Sequence, residues 1–235
     1  MIELLLRRRQ MAMSKKEPFI NPYITDGLVL HLDGIEKGST PDAWTDLING
    51  IVFTKKAGGV TFNSDNVQFG SNANNALHNT SNYVYTASNV GTIEVCYRDV
   101  PTSTSGAYSI FYSYGNVARS ICFEFYKGTI IYSAGNNSVP LTGKWTAKST
   151  GTYSISTARA FQDLQNVGFN TNKNYVTRSA VAAIIGCIGR HASTYYDPLN
   201  GKIHSIRVYN RHLSEEEVLH NQAIDNTRFH LGLEL

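Results

Sequence analysis

The chain has 235 residues and carries 21 Lys plus Arg against 18 Asp plus Glu, a net charge of +3. That length holds one large or two small domains whose core needs no disulfide scaffold, and the near-neutral balance excludes a nucleic-acid polycation and an acidic solvating tail. Charged residues make up only 17%, below the roughly 25% of an average globular protein. By contrast 21 Asn, 20 Ser, 20 Thr, 19 Gly and 14 Tyr supply the strand and turn chemistry of a β protein, not of a helical bundle.

Residues 1–21 read as a basic N-terminal arm. Arg7, Arg8, Arg9, Lys15 and Lys16 stand there against Glu3 and Glu17, so the arm holds the whole net charge. As a helix it would gather Ile2, Leu5, Leu6 and Met13 near one face. Leu5, Leu6, Arg7, Arg8 and Arg9 are therefore candidate docking residues, with a solvated terminus as the alternative. Nucleic acid is not an expected partner, because three arginines without an adjoining aromatic groove make a short footprint. The arm's apolar stretch precedes its basic residues, the reverse of a secretory signal, and no apolar run approaches the ~20 residues of a membrane span. Cytoplasmic synthesis without export is expected. Cys96, Cys122 and Cys187 fit that setting as buried thiols, since three cysteines cannot all pair within one chain.

From residue 22 to 235 the pattern is strand, turn, strand, and one domain accounts for it. The run 27–33 is β-like and closed by Gly34; residues 50–53, 60–62 and 66–70 follow, each bounded by Gly, Asn or Asp. Residues 71–82 read as a polar loop. Residues 92–98 alternate Ile93, Val95 and Tyr97 against Glu94, Cys96 and Arg98, and residues 108–114 alternate Tyr108, Ile110, Tyr112 and Tyr114 against Ser109, Phe111 and Ser113. Ile121, Phe123 and Phe125 oppose Cys122, Glu124 and Tyr126, and residues 129–133, 151–157, 182–188 and 202–210 complete the strands. In the last, Ile203 and Ile206 are three apart, which predicts a bulge. Ser214-Glu-Glu-Glu217 is a capping box, flanked by Leu213 and Val218 as a hydrophobic staple, and opens a helix to about Asn226. A dozen short strands without alternating helices predict an all-β, two-sheet antiparallel jelly-roll sandwich with one short C-terminal helix.

The opening Asp26-Gly-Leu-Val-Leu-His-Leu-Asp33 with Trp44-Thr-Asp-Leu47, and the closing stretch from Gly201 through Tyr209-Asn-Arg211 and Leu213-Ser214 to Glu217, resemble the laminin-G-like group of the concanavalin A-like lectin/glucanase superfamily. The likeness brackets residues 24–229. It implies a jelly-roll topology whose concave sheet receives sugars, and calcium as a possible cofactor.

Sugar recognition asks for aromatic faces to stack on a pyranose and for Asn, Asp or Arg groups to match its hydroxyls. Tyr112, Tyr114 and Asn116 at one strand end, Tyr126, Asn136 and Asn137 around the next hairpin, and His191, Tyr195, Tyr196 and Asp197 in a late loop are the candidate ligand-binding residues. For each of these residues taken singly, packing and turn geometry are the favoured account, and Trp44 is expected in the core. No Glu-x-Asp-x-x-Glu strand of the glucanases is present; Glu94 and Glu124 make the best available carboxylate pair, and no catalytic residue is assigned. The histidines, among them His31, His204, His212, His220 and His230, show no metal-ligand spacing and read as surface or satisfied polar residues. Asp33, Asp42 and Asp197 form no recognisable calcium loop, so the metal site is left unknown.

The expectation is thus a non-catalytic module that binds a surface glycan or protein. A bacteriophage virion component, a tail adhesin or capsid decoration, suits a lectin-like domain made without export. Its arm would dock on other virion proteins. The alternatives are a purely structural virion protein and a glycoside hydrolase with an unrecognised site.

Overall fold

In the computed structural model the alternation of apolar and polar residues is satisfied by two antiparallel sheets that close over each other. The structure describes residues 22–38, 42–56, 58–72, 74–79, 91–103, 105–114, 119–126, 129–134, 137–140, 148–156, 160–168, 182–190 and 194–234. In chain order the strands are β1 (Leu28–Asp33), β2 (Ala43–Thr45), β3 (Val52–Lys55), β4 (Val60–Phe62), β5 (Val67–Phe69), β6 (Leu77–Asn79), β7 (Thr92–Arg98), β8 (Ala107–Tyr114), β9 (Arg119–Tyr126), β10 (Thr129–Ala134), β11 (Asn137–Pro140), β12 (Gly151–Ser156), β13 (Ala160–Gln162), β14 (Gln165–Gly168), β15 (Ala182–Ile185), β16 (Ile188–Arg190), β17 (Thr194–Tyr196) and β18 (Gly201–Tyr209). They are followed by the helix α1 (Glu215–Arg228).

The first sheet runs β14-β13-β12-β7-β18-β5-β4, and the second β11-β10-β9-β8-β15-β6-β3-β2, while β16 and β17 form a separate ribbon. The spine of the first sheet is β18. One of its edges pairs with β7, and the other meets β5 at residues 201–203 and β1 at residues 205–209. Leu30, Leu32, Ile93, Val95, Tyr97, Ile206 and Val208 of this sheet meet Phe53, Leu77, Phe111, Phe123, Phe125 and Ile185 of the other in one core. Burying each such side chain contributes about 1.5–3 kcal/mol. Tyr153 stacks on Tyr97 at 5.3 Å and takes the ring edges of Phe125 and Phe123 at 5.6 and 6.3 Å. Trp44 is fully buried, as expected, and its indole N–H donates to the Asp33 carbonyl at 2.9 Å.

The bulge predicted in the last strand lies at His204: Ile203 opposes Tyr97 and Ser205 opposes Cys96. In β8 the expected strict alternation fails. Ser109 opposes Glu124 and Phe111 opposes Phe123, so Ile110 is inserted, and Ile110 and Phe111 are both buried. The strand expected over residues 182–188 is two strands, because Gly186 turns the chain with φ +90°. Its amide donates to the Ile110 carbonyl at 3.0 Å, its carbonyl accepts from Leu199, and a Cβ there would overlap the Phe69 ring. The polar loop expected over residues 71–82 contains β6, which pairs with β3 and β15 and buries Leu77; one apolar residue in a polar segment leaves no period-two pattern.

The capping box forms as predicted. Ser214 Oγ accepts from the Glu217 amide at 3.2 Å, and Glu217 Oε2 accepts from the Ser214 amide at 2.8 Å. Leu213 and Val218 are buried together with Leu28, Phe161 and Tyr209. Arg211 forks onto both oxygens of Glu217 at 2.6 and 2.8 Å, and those hydrogen bonds pull the Glu217 carboxyl down to about 2. Thr92 Oγ1 donates to the Arg211 carbonyl and accepts from the Leu213 amide. A Cβ on Gly91 would overlap the Arg211 backbone, so only glycine permits this approach. At the other end of α1, Arg98 donates to the carbonyls of Phe229 and His230, placing a cation on the negative end of the helix dipole. The residues that carry the family resemblance thus fasten the helix.

Replacing Ser214 by Ala should cost about 1 kcal/mol of stability, read as a lower urea midpoint at unchanged slope. An unshifted midpoint would show that the cap contributes nothing here.

Candidate functional site

The pleat sends Ser205, Arg207 and Tyr209 of β18, Glu94 and Cys96 of β7, and His31 and Asp33 of β1 to the outer side of the first sheet, where α1 lies. Arg207 is fully buried there, and Glu94 and Asp225 are each 1% exposed. Arg207 Nη1 and Nη2 fork onto the Asp225 carboxylate at 2.8 and 2.6 Å, and Nε donates to Glu94 Oε2 at 2.9 Å. The Tyr23 hydroxyl donates to Asp225 at 2.9 Å and its ring lies under the guanidinium at 4.1 Å. Asn221 donates to Glu94 and to the Tyr209 hydroxyl. Burial pushes the Glu94 carboxyl up against the pull of Arg207. Burial alone would lower the Arg207 guanidinium, but Asp225 and Glu94 outweigh it and hold it well above its ordinary value. The cluster is sealed from solvent and fixes α1 on the sheet.

Beside it, His31 is fully buried with Nε2 3.7 Å from Asp33 Oδ2. Burial, reinforced by Arg207, holds its imidazole down to about 3. Burial would raise the Asp33 carboxyl, yet bonds from Arg228 and the Glu36 amide leave it lowered. His204 is also fully buried, with Nδ1 3.0 Å from the Asp65 carbonyl and its ring against Phe229. The surface reading therefore fits His212, His220 and His230, which are exposed, but not these two.

Several of the sugar-binding candidates lie in strands of the second sheet or in the ribbon, and the register divides them. Tyr112 opposes Ile184 on one side and Cys122 on the other, one residue off the core row of Ile185, Phe111 and Phe123. Tyr114 pairs with Ala182 and Arg119 at one end of the sheet, and Asn137 pairs with Ala134 at that same end. Tyr126 lies at the opposite end, paired with Ala107. The ribbon reaches that end: Tyr195 pairs with Gly189 and Tyr196 with Ile188, and the Asp197 carbonyl accepts from the Ser109 amide at 3.0 Å. Asp197 takes the left-handed conformation, φ +51°. Ser109 faces Glu124 across β8 and β9, and both are buried, Glu124 to 4% exposure. Tyr126 and the Tyr195–Asp197 segment thus lie at the same end of the sheet, with β8 between them, and Tyr114 and Asn137 lie at the opposite end. Asn116, Asn136, His191 and the arm residues Leu5, Leu6, Arg7, Arg8 and Arg9 lie outside the described residues.

The Glu94 and Glu124 pairing is corrected by the topology. They belong to different sheets and face outward on opposite sides of the core, so they cannot flank one glycosidic bond. Among the described residues no three His, Cys, Asp or Glu side chains gather as metal ligands. Asp33 is engaged by Arg228, and Asp42 pairs with Lys55 at 2.6 Å. Cys96 and Cys187 are buried free thiols. Among the described residues no helix is long and apolar enough to cross a membrane. Sequence reasoning missed Arg207, Asp225, Asn221 and Tyr23. The available signal was Val218, Asn221 and Asp225 at helical spacing on one face, opposite a lone arginine in an apolar strand.

Removing one partner of the buried cluster, as in Arg207→Met, should cost about 3–5 kcal/mol, because two carboxylates are left without their cation. Replacing Arg207, Glu94 and Asp225 together by apolar residues should recover much of that loss in denaturant titrations; equal losses would contradict it. The pH dependence follows from His31. An unfolded imidazole titrates near 6.5, so as the pH falls below about 6.5 the unfolded chain binds a proton that the folded chain refuses until about 3. Stability should fall across that window, and His31→Gln should flatten the decline. An identical slope in both proteins would rule His31 out as its source.

A family model described as concanavalin A-like lectin/glucanases superfamily, laminin-G type, matches residues 57–219, more than half of the chain. No curated protein sequence matches. Among solved structures, a Trypanosoma rangeli sialidase in complex with sialic acid is similar at 13% identity and TM-score 0.59, over 99% of this chain and 39% of that one. The same sialidase as a covalent intermediate with 2,3-difluorosialic acid is similar at 13% and 0.57, over the same shares. The binding domain of botulinum neurotoxin DC in complex with SialylT is similar at 9% and 0.58, over 86% of this chain and 52% of that one. The chain thus spans about two fifths of the sialidases and about half of the toxin domain. The expectation of a non-catalytic module is overturned by the sialidase likeness, since this fold occurs within glycan-hydrolysing proteins as well as glycan-binding ones. Fold, register and family model agree: the chain belongs to the concanavalin A-like lectin/glucanases superfamily.

Proposed function

We propose that the chain recognises a glycan at the end of the second sheet where the β16–β17 ribbon meets β8. The observation that carries this reading is the 3.0 Å bond from the Ser109 amide to the Asp197 carbonyl, which holds the strand of Tyr195 and Tyr196 against β8 at the end of the sheet where Tyr126 of β9 also lies. Three tyrosines supply stacking faces, and Asp197 and neighbouring main-chain groups supply partners for hydroxyls. The superfamily and the glycan-bound neighbours support the same ligand class. On the other sheet α1 covers the outward residues of β1, β7 and β18.

The biological setting proposed is a virion surface, with residues 1–21 as the attachment arm. The concentration of the net charge in that arm supports this. The sialidase likeness favours a second reading, in which the module belongs to a longer glycan-hydrolysing protein.

An array of sialylated and bacterial surface glycans should give a discrete set of binders, and Tyr195→Ala should weaken the best of them at least tenfold in calorimetry without lowering the melting temperature. Full-strength binding by Tyr195→Ala would exclude the ribbon end. Removing residues 1–21 should leave glycan affinity unchanged and abolish incorporation into particles; retained incorporation would refute the arm. Release of sugar from a bound glycan by the isolated chain would support the second reading.

A further inference from the structure

The direct ion pairs hold only part of the underside of α1; the rest lies against β12 and the turn between β13 and β14. Thr152 of β12 pairs with Cys96, two residues along β7 from Glu94 and on the same face. The Thr152 carbonyl accepts from the Asp163 amide at 3.0 Å, and the next amide, that of Leu164, donates to Gln222 Oε1 at 2.7 Å. Asn221, the residue before Gln222, donates to Glu94 Oε2 at 2.8 Å. These bonds and the strand pairing place Glu94, Thr152 and Gln222 in one buried layer between the helix and the sheet, each 1% exposed.

Among the described residues three of their atoms find no hydrogen-bond partner: Glu94 Oε1, Thr152 Oγ1 and Gln222 Nε2. Buried polar atoms in native proteins are satisfied either by protein groups or by ordered water. The chemistry of the three selects among ligands. The Gln222 amide nitrogen can only donate, the carboxylate oxygen accepts, and the hydroxyl does both. An anion would meet the Glu94 carboxylate, and a cation would meet the N–H groups of Gln222, whose carbonyl is committed to Leu164. Water accepts from Gln222, donates to Glu94 Oε1 and shares a bond with Thr152, which makes the three bonds usual for an internal water.

We propose that one resident water molecule binds at the junction of Glu94, Thr152 and Gln222, and bridges α1 to β7 and β12. The helix is then fastened by two devices, a dry ion cluster over β18 and a solvated bridge over β12.

Crystals of the full chain should show density for one water within roughly 2.7–3.2 Å of all three atoms. Direct contact among the three, or an empty gap between them, would overturn the proposal. In solution, oxygen-17 relaxation dispersion should count one fewer long-lived water in Thr152→Val than in the parent, and an unchanged count in Thr152→Ser, which keeps the hydroxyl. A count unchanged in folded Thr152→Val would also overturn it. Should the valine variant not fold, the density in the parent chain decides alone.

Discussion

A guanidinium with no access to water has to find its counter-charges inside the protein, and for Arg207 only one placement of α1 supplies them. Asp225 from the helix and Glu94 from β7 close on it from two sides, while Tyr23 covers it from the N-terminal segment. Such a cluster adds little stability over an apolar one, because desolvating the charges consumes most of the attraction. It does discriminate strongly among arrangements, since sliding the helix by one turn would take Asp225 off Arg207 and Asn221 off Glu94 and leave buried charges without those partners. The register of β18 against β7 and β1 and the docking of α1 are thereby made interdependent.

The consequence for function is an asymmetry between the two outer faces. Among the described residues, α1 covers the strands around β18 on one side, while the short β16–β17 ribbon is anchored at Ser109 beside one end of the second sheet. The stretch from Tyr209 through Glu217 belongs to the helix side: Arg211, Ser214 and Glu217 bond to one another at the start of α1. The chain shares its fold with sialidases and toxin binding domains at 9–13% identity, and in the reading proposed above the ligand is set by residues on the other sheet and in loops.

The sequence made the long, regular elements readable. Seven residues of clean alternation mark β7, the three-residue gap from Ile203 to Ile206 marks the bulge at His204, and the capping box marks the start of α1. Each is a local signal satisfied by local geometry. What was not legible is non-local or too short. Leu77 alone cannot announce β6, the inserted Ile110 depends on its partner strand, and the break at Gly186 depends on Phe69 packing over it. Glu94 and Glu124 look alike in their strands, and only the assignment of β7 and β9 to different sheets separates them. For the candidate site, residue type pointed to Tyr126, Tyr195, Tyr196, Tyr114 and Asn137 equally. The pairing of the strands is what groups the first three at one end and leaves the other two at the opposite end.

Hydrogen–deuterium exchange of the full chain, with and without its best-binding array glycan, tests this division of the molecule most directly. Sugar should slow exchange at residues 107–111, 124–126 and 194–199 and leave residues 215–228 unchanged. Protection centred on α1 and β1, with the ribbon end unaffected, would contradict it.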